Sequence, residues 1–149
     1  MQNNITLLEW AQNCFAHDLF ATETTGITIE KVDSQTSICT LQISEHHRNA
    51  RGAVMGGVFF TLADFASAIA MNSNEALSRI AITTNSKELY TLHWVTLQSS
   101  INFLSQPKGN VLTAATRCVR QGHSTCLFEV TILDGTRIIA TVTSNGIRI

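Results

Sequence analysis

The chain is organised around one stretch. A glycine-rich loop, Asn49-Ala50-Arg51-Gly52-Ala53-Val54-Met55-Gly56-Gly57, runs directly into an apolar segment, residues 58–71. Within that segment only Thr61, Asp64 and Ser67 carry polar side chains. Their spacing of three places them along one narrow stripe of a helix about four turns long. A helix that is apolar on nearly every other face has to be buried. A carboxylate inside it is costly unless something pairs or uses it. The fold therefore has to wrap a helix, and the chemistry has to account for Asp64.

The rest of the chain supplies the wrapping. At 149 residues it suits a single domain, 1–149, with a real core. Residues 5–20 place Ile5, Leu8, Trp10, Ala11, Cys14, Phe15 and Leu19 near one helical face, with Thr6 and Glu9 spaced as a capping box. This predicts an N-terminal amphipathic helix within 1–20. Residues 27–32 and 37–43 read as two strands joined at Asp33-Ser34, with Cys39, Leu41 and Ile43 facing one way and Ile38 and Thr40 the other. The buried helix is expected to end between Met71 and Asn74, followed by an irregular connection, 74–90. Strands follow at 92–104 (ended by Pro107 and Gly109), 111–119, 125–133 and 138–149, with Gly122 and Asp134-Gly135 at the turns. The expectation is an α+β fold, a curved antiparallel meander around one long helix. One such sheet covers only part of the helix, which argues for a homodimer.

Composition closes off several functions. A net charge of -1 with scattered Lys and Arg gives no basic field for nucleic acid or an anionic membrane surface. Residues 58–71 fall short of the ~20 needed to span a bilayer. No basic, apolar leader opens the sequence, so a cytoplasmic protein is expected. Cys14, Cys39, Cys118 and Cys126 lack metal-ligand spacing and read as free thiols, although Cys118 and Cys126 lie symmetrically about Gly122. His46 and His47 are adjacent on a loop, with no Asp or Cys cluster beside them. They read as loop residues, as do His93 and His123, and no metal site or cofactor is expected.

Gly56 and Gly57 fall where the buried helix begins. A helix N-terminus offers unpaired N–H groups and the positive end of the dipole, and glycine lets a carbonyl come close. That arrangement can stabilise charge on a carbonyl oxygen, although a glycine pair also serves as a plain turn. Asp64 is a candidate nucleophile or general base, unless Arg48 or Arg51 pairs it. Eight helical residues separate Asp64 from Gly56, a rise of about 12 Å. One substrate carbon cannot reach both within a chain. Antiparallel pairing of two such helices would set Gly56 of one subunit beside Asp64 of the other.

The string Asn49-x6-Gly56-Gly57-x6-Asp64, followed by Phe65-Ala66, resembles the signature of hotdog-fold acyl-CoA thioesterases of the phenylacetyl-CoA thioesterase (PaaI-type) family, within the 4-hydroxybenzoyl-CoA thioesterase superfamily. The resemblance extends from about Gly26 to the end, including the strand at 95–104. It implies hydrolysis of an acyl-CoA to free acid and CoA, with no cofactor beyond the CoA of the substrate. Asp64 then corresponds to the acid that attacks or activates water, and Gly56 to the N–H that polarises the carbonyl. Asn49 corresponds to a side chain near the thioester, and Thr96 to the hydroxyl that orients water. The resemblance extends the substrate and CoA contacts to Gly57, Arg120, Gln121, Gly122 and Ser124, and implies a homodimer or a dimer of dimers. Met55 stands where the family usually has histidine, and 74–90 is longer than usual. Two other readings on the same fold are a non-catalytic acyl-CoA-binding sensor and a dehydratase. The first usually carries a DNA-binding segment, whereas the N-terminal helix here is single and not basic, and no His-containing loop of the hydratase type precedes the buried helix.

Overall fold

In a computed structural model, residues 4–149 are described. Residues 1–3, on which the reading of an absent leader partly rests, lie outside them. The strands are β1 Ile27–Asp33, β2 Thr36–Gln42, β3 Trp94–Phe103, β4 Val111–Gln121, β5 Thr125–Asp134 and β6 Arg137–Arg148. They form one antiparallel sheet in the order β1-β2-β4-β5-β6-β3. Alternation decides which face each strand buries. Cys39 and Leu41 of β2 and Phe128, Val130 and Ile132 of β5 turn inward and are almost wholly buried, as the period of two requires.

The sheet is not the simple meander expected. β3 lies at the edge beside β6, and β4 inserts between β2 and β5. The connection from β3 to β4 is led across the end of the β5–β6 hairpin. Leu104 and Ser105 donate N–H groups to Ile139 O, Arg137 donates to Ser105 Oγ and Gln106 O, and Asp134 Oδ2 accepts from the N–H groups of Lys108 and Gly109. Such side-chain to main-chain anchors leave no periodic trace in a sequence.

Helix α1, Leu7–Phe15, starts at the Thr6–Glu9 capping box and stops earlier than the apolar spacing suggests. Phe20 instead opens a separate π-helical turn, Phe20–Thr25, closed by Gly26 in the left-handed conformation. Trp10 Nε1 donates to Leu89 O at 3.0 Å, and Phe15 packs edge-on against Phe65 with ring centroids 5.8 Å apart. The long helix α2, Gly56–Ile82, extends well past Met71, and the short α3, Ser86–Leu89, follows. The expected irregular connection is thus largely helix. Asn72, Ser73 and Asn74 look like a stop, but Ser73 Oγ donates to Ala70 O, and Asn72 Nδ2 to Ala68 O and Trp94 O. Polar side chains that bond backward along the helix or to the next strand let it continue.

Between α2, β3 and β6, Glu75 acts as a clamp. Its carboxylate takes Arg79 Nη2 at 2.7 Å, His93 Nδ1 and Arg148 Nε at 2.8 Å, and Trp94 Nε1 at 3.1 Å. Burial works to raise this carboxyl, but the hydrogen bonds from Arg148, His93 and Trp94 and the charge of Arg148 outweigh it and hold it down at about 2. A depressed folded value contributes stability above the unfolded value near 4.5, and that stability is lost as pH falls toward 2. With solvent screening at this partly open site, the contribution is about 1–2 kcal/mol. Glu75→Gln should therefore lower the melting temperature at pH 7 and flatten its decline between pH 5 and 2, both readable by thermal denaturation.

Candidate active site

Asp64 sits in the middle of the first half of α2, on the one side that the sheet does not cover. Gly57 is exposed and Phe60, Thr61, Asp64 and Ala68 are half-buried, while Phe59, Leu62, Ala63, Ala66 and Ile69 are buried against the core. The polar stripe is locally satisfied. Thr61 Oγ1 donates to Gly57 O at 2.8 Å and Ser67 Oγ to Asp64 O at 3.0 Å. Neither hydroxyl uses up the Asp64 carboxylate.

That carboxylate has one protein partner among the described residues, Thr96, whose Oγ1 donates to Oδ1 at 3.1 Å. Thr96 reaches it from a β-bulge, where β3 loses register with β6 between Thr96 and Gln98. A bulge re-aims the side chain at its border. Here it keeps Thr96 turned toward α2 while Leu97 is left exposed. The two candidate arginines do not pair it: Arg48 Nε lies 3.4 Å from Glu45 and its Nη1 donates to Gly52 O, and no ion pair holds Asp64 among the described residues. An oriented carboxylate without a cation beside it can act as a base or a nucleophile.

Asp64 borders a cavity of about 340 Å³ between α2 and the π-helical turn. Thr61, Phe65 and Ala68 form its α2 wall, and Asp18, Leu19, Phe20 and Ala21 the other. Leu19 and Phe20 are themselves more than half exposed. Burial and then the negative charge of Asp64 push the Asp18 carboxyl above its usual value, so the two acids sense each other across this space. Asp18 and Phe20 escape sequence reasoning, which reads Leu19 only as the last residue of the apolar stripe of the N-terminal helix and not as part of a cavity wall.

Gly56 is the first residue of α2, and no side chain caps the helix, because the N-cap position is taken by Met55. Val58 N–H donates to Met55 O, while the N–H groups of Gly56 and Gly57 have no protein acceptor among the described residues and can take one from a ligand. The ring of Phe103 lies over the site: a Cβ added at Gly56 would come within 2.9 Å of Phe103 Cζ. Gly56 and Asp64 lie on one helix, about 12 Å apart along its axis. Asn49 organises the preceding loop. Its Oδ1 accepts from the N–H groups of Arg51 and Ala53, and its own N–H donates to Ala53 O, leaving the amide NH2 as its outward donor.

The β4–β5 turn stands apart from the Asp64 cavity. Gln121 donates to Met71 O and accepts from Gln35 Nε2, Gly122 N–H donates to Thr125 O, and Ser124 O accepts from Arg148 N–H. Arg120 borders a second cavity of about 460 Å³, with Leu97, Leu127 and Asn145. Leu97 directly follows Thr96, which sets this second space close to the bulge. The four cysteines are free, and the β4–β5 turn, closed by Gly122 N–H to Thr125 O, sets Cys126 opposite Gln121 and Cys118 opposite Phe128, so the two do not face each other. Among the described residues no three His, Cys, Asp or Glu side chains converge as metal ligands, and no helix is long and apolar enough to cross a membrane.

Residues 51–140 match the family model described as Thioesterase superfamily. No curated protein sequence matches the chain significantly. Among solved structures, the PaaI protein from the phenylacetic acid degradation operon of E. coli is 24% identical with a TM-score of 0.74, covering 97% of this chain and 96% of that one. A hypothetical thioesterase protein from Streptococcus pneumoniae TIGR4, solved with coenzyme A, is 27% identical with a TM-score of 0.71, covering 91% and 96%. An aspartate-to-alanine variant of a hypothetical thioesterase protein from the same source aligns at 30% identity with a TM-score of 0.67, covering 82% of this chain and 89% of that one. With the family match extending over well more than half its length, and with a six-stranded antiparallel sheet packed on one long helix, this chain belongs to the thioesterase superfamily and has the PaaI-type hotdog fold.

Proposed function

We propose that the protein hydrolyses an acyl-CoA thioester to the free acid and CoA, at a site shared between two copies of the chain. The observation that carries this reading is the Asp64 carboxylate, oriented by Thr96, open to a cavity and with no cation paired to it among the described residues. In a thioesterase-superfamily chain such a group has an evident use. Asp64 takes a proton from water, or attacks the thioester carbon itself. The N–H of Gly56 from the other copy holds the carbonyl oxygen as negative charge develops on it. The thiolate of CoA is a good leaving group, so one acid, one water and one dipole are enough.

Three further observations support the reading. β3 is an unpaired sheet edge, carrying exposed Val95, Leu97 and Phe103 beside the uncovered side of α2. An edge of that kind invites pairing with a second copy, and two-fold pairing brings each Gly56 toward the other chain's Asp64. The related pneumococcal protein was solved with coenzyme A. Asn49 braces the glycine loop through its Oδ1, which accepts from the N–H groups of Arg51 and Ala53, and its amide NH2 is assigned to the thioester. Gly57, Arg120, Gln121, Gly122 and Ser124 are assigned to contacts with the CoA portion. Of these, Arg120 is the exposed cation available for phosphate. Met55, in place of the family's usual histidine, is 55% exposed.

The reading is tested by offering a panel of short-chain, long-chain and aromatic acyl-CoAs and measuring thiol release. Turnover of at least one is expected. No release from any would replace hydrolysis with the sensor reading, in which the same cavity binds an acyl-CoA without cleaving it. Within an active protein, Thr96→Val should lower kcat by about 10- to 100-fold with KM little changed, since a hydrogen bond to a charged group contributes about 1.5–3 kcal/mol.

A further inference from the structure

The second residue of the His46-His47 pair is 7% exposed and fully engaged. Ser44 donates its N–H to His47 Nδ1 at 2.9 Å, and His47 Nε2 lies 2.7 Å from Thr25 O. A main-chain N–H can donate only to an unprotonated ring nitrogen. The ring proton is therefore on Nε2 and is donated to Thr25 O. Thr25 ends the π-helical turn, whose first residues, Phe20 and Ala21, wall the cavity beside Asp64. The main-chain oxygen of His47 accepts from Met55 N–H at 2.9 Å. Met55 is the N-cap of α2 and directly precedes Gly56. A bridge between Arg48 and Val54 closes the loop between them.

We infer that His47 is a positioning residue, which ties the wall of the acyl cavity to the helix N-terminus that polarises the thioester. This rests on the function proposed above. Its ring holds the end of the π-helical turn, and its main chain holds the residue that aims the Gly56 N–H. A group filling the cavity presses on Phe20 and Ala21, and the Thr25–His47–Met55 path carries that displacement to the donor. π-Helical turns are uncommon and often sit at functional sites, which accords with a segment that adjusts to its ligand. A misplacement of about 1 Å at a reacting group can cost 100-fold in rate.

His47→Ala removes both ring bonds, His47→Gln can keep the donor to Thr25 O, and His47→Asn can keep the acceptor for Ser44. In each, amide hydrogen exchange followed by mass spectrometry is combined with kcat and KM for an acyl-CoA that the wild type hydrolyses. Exchange should rise at 20–26 and at 55–58 together, while β4, β5 and β6 stay protected. In His47→Ala kcat should fall about 10- to 100-fold with KM changed less than about threefold, and His47→Gln should recover part of the loss. If His47→Ala does not fold, the Gln and Asn variants carry the same measurements. Unchanged exchange at 55–58 overturns the inference, as does a rise spread evenly over the sheet with kcat falling only by the unfolded fraction. If the wild type hydrolyses no thioester, the proposed function fails, and coupled exchange at the two segments alone decides whether His47 links them.

Discussion

Replacing Asp64 by asparagine should reduce kcat at least ~1,000-fold while leaving the fold and the affinity for CoA nearly intact. Loss of a general base or nucleophile typically removes several orders of magnitude of rate, and asparagine preserves the shape that Thr96 grips. The amide oxygen of the introduced side chain can still accept from Thr96, so the geometry of the 3.1 Å contact survives and only the basicity is lost. Stability should change little or even improve, because a half-buried, cation-free carboxylate is removed from an apolar helix face. The measurements are thiol release, circular dichroism and CoA binding by calorimetry. Full activity in a folded Asp64→Asn protein would remove the carboxylate from the mechanism. A large loss of melting temperature would make Asp64 a structural acid instead.

How much of this is legible in the sequence differs from element to element. The β1–β2 hairpin, the capping box at Thr6 and the start of α2 at Gly56 follow from local patterns, because alternation, caps and glycines act over a few residues. The end of α2 is not local. Asn72 reads as a breaker until its Oδ1 is seen to accept the N–H groups of His93 and Trp94 across to β3. The place of β3 at the sheet edge depends on Arg137 and Asp134 steering a loop that lies far away in sequence.

The site divides in the same way. The Asp64–Thr96 pair spans 32 residues, and here the family resemblance supplies what spacing cannot. Among the aromatic residues of the helix, the sequence cannot say which face a cavity. Phe65 does, and Phe59 packs toward Phe103 instead. The opposite wall, Asp18 to Ala21, stays hidden because a π-helical turn has no repeat to recognise. His47 reads as a loop residue, since a residue that holds the π-helical turn through its ring and the helix N-terminus through its main chain leaves a signal only in three dimensions.

A mixture of two inactive variants should regain activity. Gly56→Val places side-chain atoms where even a Cβ meets Phe103 at 2.9 Å, blocking the helix N-terminus and displacing the ring. Asp64→Asn removes the base. If each site draws Gly56 from one chain and Asp64 from the other, a mixed dimer holds one site with both defects and one with neither. Random assortment of equal amounts makes half the dimers mixed, so co-expression should restore about a quarter of wild-type activity. If both residues instead served one site within a chain, every site in the mixture would carry one defect and activity would stay near zero. Separately purified variants, mixed without unfolding, should recover only as fast as dimers exchange subunits. The dependence is specific to pairing across a two-fold axis, because the ~12 Å rise between the residues is set by helix geometry and no movement of side chains within one chain can close it. Sizing each variant by light scattering completes the test: an active monomer would require Asp64 to work with a carbonyl-binding group from its own chain.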